Sequence, residues 1–134
     1  MSNWSGSATA EPGEDAGVLV VGNKTLPFDT LSRVDLVDFF KQTKTMWNQE
    51  IAINITLLQE GETHRRFIWQ YFRKTPSQYN RYWKKLVFSG KGRTPMMFRT
   101  EKDLMAHVAL TRGAIGYISE TTKPAGVKII KITD

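Results

Sequence analysis

The residues best suited to chemistry lie in a short turn, Gln59-Glu60-Gly61-Glu62-Thr63, which connects an apolar segment to a basic helix. Such a strand-to-helix turn aims the first, unpaired backbone N–H groups of the helix at one point, where the helix dipole also favours negative charge. We therefore predict an anion-binding site here. Its candidate residues, which offer N–H groups, a hydroxyl and two guanidinium groups, are Gly61, Glu62, Thr63, Arg65 and Arg66. In the alternative interpretation, Thr63 only caps the helix and both arginines point to solvent.

A second basic loop, Ser89-Gly90-Lys91-Gly92-Arg93, is also rich in glycine. It lacks the spacing of a Walker phosphate loop, which requires Gly, four residues and then Gly-Lys-Ser or Gly-Lys-Thr. We interpret it as a turn in which Lys91 and Arg93 supply auxiliary anion contacts. The alternative is a turn with no binding role.

Residues typical of catalysis and metal binding are sparse. The chain has no Cys, and its two histidines, His64 and His107, lie on different predicted helices. Neither a Gly-x-Ser-x-Gly turn nor a His-Glu-x-x-His motif occurs. We therefore expect neither an enzyme nor a cofactor or metal site. His64 lies beside the predicted anion turn, and we expect it to titrate with a bound anion.

The net charge of +6 is unevenly distributed. The segment from Thr63 to Thr100 has no acidic residue and ten basic ones, so it should attract anions. A solvated basic face without a specific partner is the alternative. Aromatic residues interleave with the basic ones, as in proteins that bind single-stranded nucleic acid. Their helical spacing, however, places most of them in the core, so a nucleic-acid-binding basic domain remains the second hypothesis for function.

The elements that must position these residues begin with an apolar run, Val18–Val21, typical of a buried strand. Ser32 and Asp35 predict the start of a helix, and residues 51–57 alternate with the period of a strand. We interpret this order as a parallel strand–helix–strand unit with a right-handed crossover.

The second half of the chain alternates in the same way. The pattern predicts a helix over Thr63–Arg73, a second one that begins at Thr75-Pro76 and breaks at Ser89, and a third from Thr100 to a left-handed Gly113. Two strands follow, at residues 114–118 and 127–132. Strands alternating with helices place the chain in the α/β class.

A length of 134 residues is sufficient for one domain. We predict a disordered leader over residues 1–16, rich in Ser, Gly and Ala, and a single α/β domain over residues 17–134. The start does not resemble a signal peptide, so we expect either a cytoplasmic protein or a mature form with a new initiator Met. The sequence has no apolar run long enough to insert into a membrane.

Several motifs in order resemble one family. Arg112-Gly113-Ala114-Ile115-Gly116-Tyr117 is similar to a Pro-Gly-Ala-Ile-Gly-Tyr signature, with Arg112 in place of the Pro. Leu31–Phe40 followed by Met46-Trp47 is similar to a helix of the same family. With the Gly61 turn and the segment Tyr82–Gly92, these motifs resemble the second lobe of a periplasmic phosphate-binding protein, the solute receptor of a phosphate ABC transporter. The resemblance covers roughly residues 18–118.

The resemblance implies a three-layer α/β lobe of a type 2 periplasmic binding protein, a phosphate-like anion as ligand, and a periplasmic or otherwise extracytoplasmic location. When the family's Arg-x-x-Gly-Ser-Gly-Thr loop is superposed on Thr63, Leu57 takes the place of the phosphate-binding Arg and Glu62 that of the second Gly. Leu57 cannot replace a bidentate guanidinium. The loop is therefore predicted to be degenerate and its phosphate binding weak.

The family binds its ligand in a cleft between two lobes, and this sequence matches one of them. A single lobe leaves a bound anion open to water, where each charge-assisted hydrogen bond is screened. We therefore expect weak anion binding at best, or a binding surface reused for a protein or polysaccharide partner. A homodimer could also complete the cleft, because two copies would supply both of its sides.

Overall fold

The computed structural model describes residues 17–134; the predicted disordered leader, residues 1–16, lies outside them. Six strands and four helices follow one another in these residues. The strands are β1 (Val18–Gly22), β2 (Thr30–Ser32), β3 (Asn54–Leu58), β4 (Met96–Phe98), β5 (Ala114–Ser119) and β6 (Lys128–Thr133). The helices are α1 (Arg33–Lys41), α2 (Glu62–Phe72), α3 (Pro76–Phe88) and α4 (Glu101–Leu110).

All six strands form one sheet in the order β2-β6-β1-β5-β3-β4. β3 pairs in parallel with β4 and β5, and β2 pairs in parallel with β6. β1 is antiparallel to both of its neighbours, β5 and β6. The sheet is thus mixed, with β1 running against the other five strands, and the predicted α/β class is confirmed.

The predicted parallel unit formed by β1, α1 and β3 is wrong. β5 lies between β1 and β3, and it is antiparallel to β1 but parallel to β3. The strand that precedes α1 and shares the direction of β3 is β2. It was missed because it has three residues with one buried apolar side chain, Leu31, which is too few to show a period of two. The sequence pattern assigned the same residues only to helix capping.

Helix starts follow the predicted capping chemistry. The Ser32 hydroxyl accepts a hydrogen bond from the Asp35 N–H group at 3.0 Å, and Thr100 caps α4 in the same way. α3 begins with Pro76 after Thr75, and Thr75 and Gln78 form a complete capping box. Each cap satisfies a donor that the first turn of a helix leaves without an intrahelical partner.

Helices cover both faces of the sheet at β5. Tyr117 stacks on Phe67 of α2 with ring centroids 3.9 Å apart. A Cβ atom added to the adjacent Gly116 would lie 2.9 Å from the Leu104 side chain of α4, and 2.3 Å from Thr56 Oγ1 of β3. Because successive strand residues point to opposite faces, α2 and α4 lie on opposite sides of the sheet. This gives three layers, and it shows that the Gly-Ala-Ile-Gly-Tyr segment packs closely between them.

The core is formed by the inward faces of these layers and includes Leu36, Phe40, Phe67, Leu104 and Ile115, all less than 1% exposed. In residues 17–134, none of the helices combines the length and the apolar character needed to cross a membrane.

Candidate functional site

The predicted anion turn lies where β3 ends and α2 begins. The Gln59 N–H group donates to the Phe98 carbonyl at 2.9 Å, which ties the turn to the end of β4. Gly61 is the residue before α2 and has φ 104°, a conformation that L residues rarely adopt. No side chain of the described residues caps this helix. The first N–H groups of α2 therefore face the edge of the sheet at which β3 and β4 end.

Two buried hydrogen bonds that share the Tyr117 hydroxyl connect the first turn of α2 to the sheet. The Leu58 N–H group donates to the Tyr117 hydroxyl oxygen at 2.9 Å, and His64 Nδ1 lies 2.5 Å from the same oxygen. Burial lowers the pKa of His64 to about 4 and raises the pKa of Tyr117 well above its usual value. Tyr117 therefore donates a hydrogen bond to Nδ1 of a neutral His64. Together the two hydrogen bonds connect β3, β5 and α2.

The expectation that His64 titrates with a bound anion is wrong. Its side chain is 2% exposed and points into the core rather than toward the turn. Burial in an apolar environment disfavours the imidazolium, which is the form that would attract an anion. The role of His64 is to position the start of α2.

The two arginines that the sequence analysis assigned to the anion both contact Glu62. Arg65 forms an ion pair with one carboxylate oxygen, and Arg66 Nε lies 2.8 Å from the other. These are exposed pairs one helical turn apart, of the kind that contributes little stability. They do, however, hold the carboxylate of the first residue of α2 against both guanidinium groups. Glu62 thus neutralises part of the positive charge that would attract an anion.

Thr63 forms a hydrogen bond with Glu101, a residue that the sequence analysis did not assign to the site. The Thr63 hydroxyl donates to Glu101 Oε2 at 2.8 Å. The other oxygen, Oε1, accepts hydrogen bonds from the Ser119 N–H group at 2.8 Å and from the Thr122 hydroxyl at 2.6 Å. A carboxylate from α4 thus collects three donors from α2, from the end of β5 and from the loop that follows it. The Glu101 carboxylate therefore occupies three donors that could otherwise hydrogen-bond a small anion.

The sequence analysis gave no role in the site to Glu101. It is the first residue of α4, just after β4, and β4 is the sheet neighbour of β3. The starts of α2 and α4 therefore meet at one edge of the sheet. The order of the strands was the missing information, because nothing in the spacing of Thr63 and Glu101 indicates contact.

The remaining predicted residues are separate from this edge. Leu57, which takes the place of the family's Arg in the superposition, is 1% exposed and belongs to the core. Lys91 and Arg93 lie in the loop that leads into β4, beside residues that precede and begin β3. Gly61 follows the end of β3, so the structure does not bring Lys91 and Arg93 together with the α2 turn. They lie at the opposite edge of the sheet.

The interleaved aromatic residues are mostly core, as their spacing predicts. Phe67, Tyr71, Tyr79 and Trp83 are buried. Two large aromatic side chains remain exposed in the same region, Trp69 and Phe88. Within the described part of the chain, no cluster of three or more His, Asp or Glu side chains is arranged to hold a metal ion.

No protein-family model and no curated protein sequence matches the chain. Solved structures do match its fold. An ABC-type phosphate transport receptor from Vibrio cholerae has a TM-score of 0.61 at 19% identity, over 88% of this chain and 47% of the other. A candidate phosphate ABC transporter substrate-binding protein from Clostridium perfringens, solved with bound phosphate, has a TM-score of 0.65 at 18% identity, over 87% and 44%. PstS from Borrelia burgdorferi has a TM-score of 0.58 at 12% identity, over 88% and 47%.

The chain has the fold of one lobe of these receptors. It spans less than half of the length of each of them, as the resemblance to a single lobe predicted. At this level of identity the likeness establishes the fold alone. By name, the first of these three is a transport receptor and the second a substrate-binding protein, and none of the three is named as an enzyme.

Proposed function

We propose that this protein is a non-catalytic, anion-receptor-like module that binds small oxyanions of the phosphate type weakly at the α2 turn. The observation that carries the proposal is the start of α2 at Gly61, directly after β3 and without a side-chain cap. In a fold shared with phosphate receptors, N–H groups so placed are suited to hydrogen-bond an anion. The candidate residues remain Gly61, Glu62, Thr63, Arg65 and Arg66.

Binding is expected to be weak for three physical reasons. Glu62, the first residue of α2, carries a carboxylate that already pairs with Arg65 and Arg66. Glu101 already accepts the Thr63 hydroxyl proton. Leu57 is buried and supplies no guanidinium group. An incoming dianion must therefore displace one carboxylate and approach another, so we expect a dissociation constant of about 1 mM.

The biological role that fits weak binding by a single lobe is a receptor surface completed by a second protein. We propose that a protein partner or a second copy of this chain covers the α2 turn, and that the module acts outside the cytoplasm. Sedimentation velocity with and without phosphate tests whether a second copy of the chain covers the α2 turn. Self-association that phosphate strengthens would support this proposal, and a strict monomer in both conditions would contradict it.

Glu101 provides the sharpest test of the anion site. In Glu101→Gln, one negative charge leaves the site while an amide oxygen remains to accept from Thr63. We expect this variant to bind pyrophosphate, phosphate and sulfate about tenfold more tightly than the unchanged chain by isothermal titration calorimetry. Glu50→Gln is the matched control, because Glu50 is an exposed acid on the loop before β3 and its loss changes the net charge equally.

Equal affinities in Glu101→Gln and Glu50→Gln would contradict a site beside Glu101, and no binding of any of the three anions by either protein would contradict the proposed function. Tighter and more steeply salt-dependent binding of a single-stranded oligonucleotide than of pyrophosphate would instead support the nucleic-acid hypothesis.

The arginines provide a second test. Replacing Arg65 and Arg66 together with Ala removes two positive charges and leaves the Glu62 carboxylate without its partners, so anion affinity should fall about tenfold. The exposed pair Lys84 and Lys85 on α3 is the control, since replacing both with Ala causes the same change in net charge. Unchanged affinity in the arginine variant, with retained helical circular dichroism, would exclude the two arginines from the site.

A further inference from the structure

A groove of about 520 Å³ lies at the edge of the sheet where β3 and β4 begin. The segment Ala52–Ile55 lines one side, and Gly90–Met96 lines the other. The groove is thus bordered by two stretches of chain that lead into neighbouring parallel strands. It lies at the opposite edge from Gly61, and its binding properties do not depend on the proposed anion site.

All charged side chains in the lining of the groove are positive. Its lining includes Lys44, Lys91 and Arg93 but no Asp or Glu. Lys44 is already engaged, because its Nζ atom lies 3.2 Å from an Asp35 carboxylate oxygen. Lys91 and Arg93 are exposed and form no ion pair with a carboxylate within residues 17–134. These two side chains therefore supply the positive charge available to a ligand.

The loop that carries Lys91 and Arg93 is held in one conformation. Gln42, the residue after α1, donates from Nε2 to the Arg93 carbonyl at 2.8 Å and accepts from the Arg93 N–H group at 2.9 Å. The Lys91 N–H group donates to the Leu86 carbonyl at 2.9 Å. All three bonds use main-chain groups of the loop. The two basic side chains remain accessible on a backbone that is already ordered, so binding a ligand costs little further backbone entropy.

The lining of the groove also contains partly exposed apolar side chains. Met46 and Met96 are 40% and 51% exposed, and Ile53 is a half-buried residue of the same lining. Thioether side chains are flexible and polarisable, and they adapt to apolar partners of different shapes. The lining has one aromatic residue, Phe39, which is 1% exposed. A nucleic-acid base would therefore find no aromatic surface on which to stack.

We propose that this groove binds an acidic, partly apolar peptide segment of a partner protein in an extended conformation. The carboxylates of the segment would meet Lys91 and Arg93, and its apolar side chains would cover Met46, Ile53 and Met96. Charge complementarity selects the acidic partner. The apolar part of the lining favours a peptide over inorganic phosphate, which has no surface to bury there. Neither the phosphate receptor fold nor the α2 turn requires such a site.

Fluorescence anisotropy with a labelled peptide of alternating glutamate and leucine tests this proposal, with a matched glutamine–leucine peptide as the comparison probe. We expect the glutamate peptide to bind more tightly than the glutamine peptide. Replacing Lys91 and Arg93 together with Ala should weaken it about tenfold, because two exposed charge contacts are lost. The double Ala variant of Lys84 and Lys85 is the control, since it removes the same charge from outside the groove.

A second variant tests the apolar part. Met96→Ser should weaken binding of both peptides, because it removes exposed apolar surface from the groove. Equal binding of the two peptides, or equal loss in the Lys91/Arg93 and Lys84/Lys85 variants, would overturn the proposal. So would a labelled oligonucleotide that binds more tightly than the glutamate peptide and loses affinity in the Lys91/Arg93 variant.

Discussion

The starts of α2 and α3 differ in what holds them in place. α3 begins with Thr75 and Gln78, whose side chains each bond the backbone of the other. α2 begins at Gly61 with no side-chain cap. Its first turn is instead fixed by contacts between elements: His64 to Tyr117 of β5, and Thr63 to Glu101 of α4.

The difference bears on the anion site that we propose at the start of α2. A capping box satisfies N–H donors with residues three positions apart and leaves little for a ligand to gain. At α2 the long-range contacts orient the helix without capping it. Long-range contacts therefore supply the rigidity that local capping supplies at α3, while the donors remain directed toward the edge of the sheet.

Protonation of His64 should disrupt the α2 arrangement most. The folded-state pKa of about 4 lies below the value of 6.5 expected for an unfolded chain. The unfolded state therefore binds a proton first as pH falls, and the free energy of unfolding should decrease between about pH 6.5 and 4 by on the order of 3 kcal/mol. Denaturant titrations at a series of pH values measure this loss.

His64→Gln should lose this component of the pH dependence, whereas His107→Gln should keep it. The same pH dependence in His64→Gln and the unchanged chain would show that His64 does not fix the start of α2 in its neutral form.

Removal of the Tyr117 hydroxyl should have the next largest effect. Tyr117→Phe leaves the buried Leu58 N–H group and His64 Nδ1 without their shared partner, at a cost of about 2 kcal/mol. Tyr82→Phe is the control, because the Tyr82 hydroxyl donates to the Lys41 carbonyl in a partly exposed position and its loss should cost less than about 1 kcal/mol. Thermal unfolding compares the two. A smaller effect at Tyr117 than at Tyr82 would contradict tertiary anchoring of α2.

Placing serine at the position before each helix should produce the smallest change in the free energy of unfolding. Serine is a favoured cap, yet Gly61→Ser should destabilise the fold by about 1 kcal/mol because φ 104° strains any L residue. Thr75→Ser should stay within about 0.5 kcal/mol, since serine can form the same capping box. Urea unfolding distinguishes them. Stabilisation by Gly61→Ser would mean that α2 can be capped locally after all.

Much of the local structure was predictable from short-range patterns. The caps at Ser32, Thr75 and Thr100 were read correctly because each depends on a side chain and an N–H group three residues apart. Gly113 was predicted to be left-handed, and its φ is 78°. The candidate site was only partly predictable: the Gly61 turn is where the pattern placed it, but the partners of its side chains were not evident. Glu101 was not assigned to the site, and His64 was interpreted as a residue that titrates with the ligand.

The sequence by itself determined where helices start, which faces are apolar and that the chain alternates strands and helices, because these properties depend on neighbours within a few positions. Tertiary structure alone decided the reversed direction of β1, the burial of His64, the contact between Thr63 and Glu101, and the separation of Lys91 and Arg93 from Gly61. Each of these depends on which strands lie side by side. Strand pairing joins residues far apart in the chain through backbone hydrogen bonds that any side chain permits, so residue spacing does not record it.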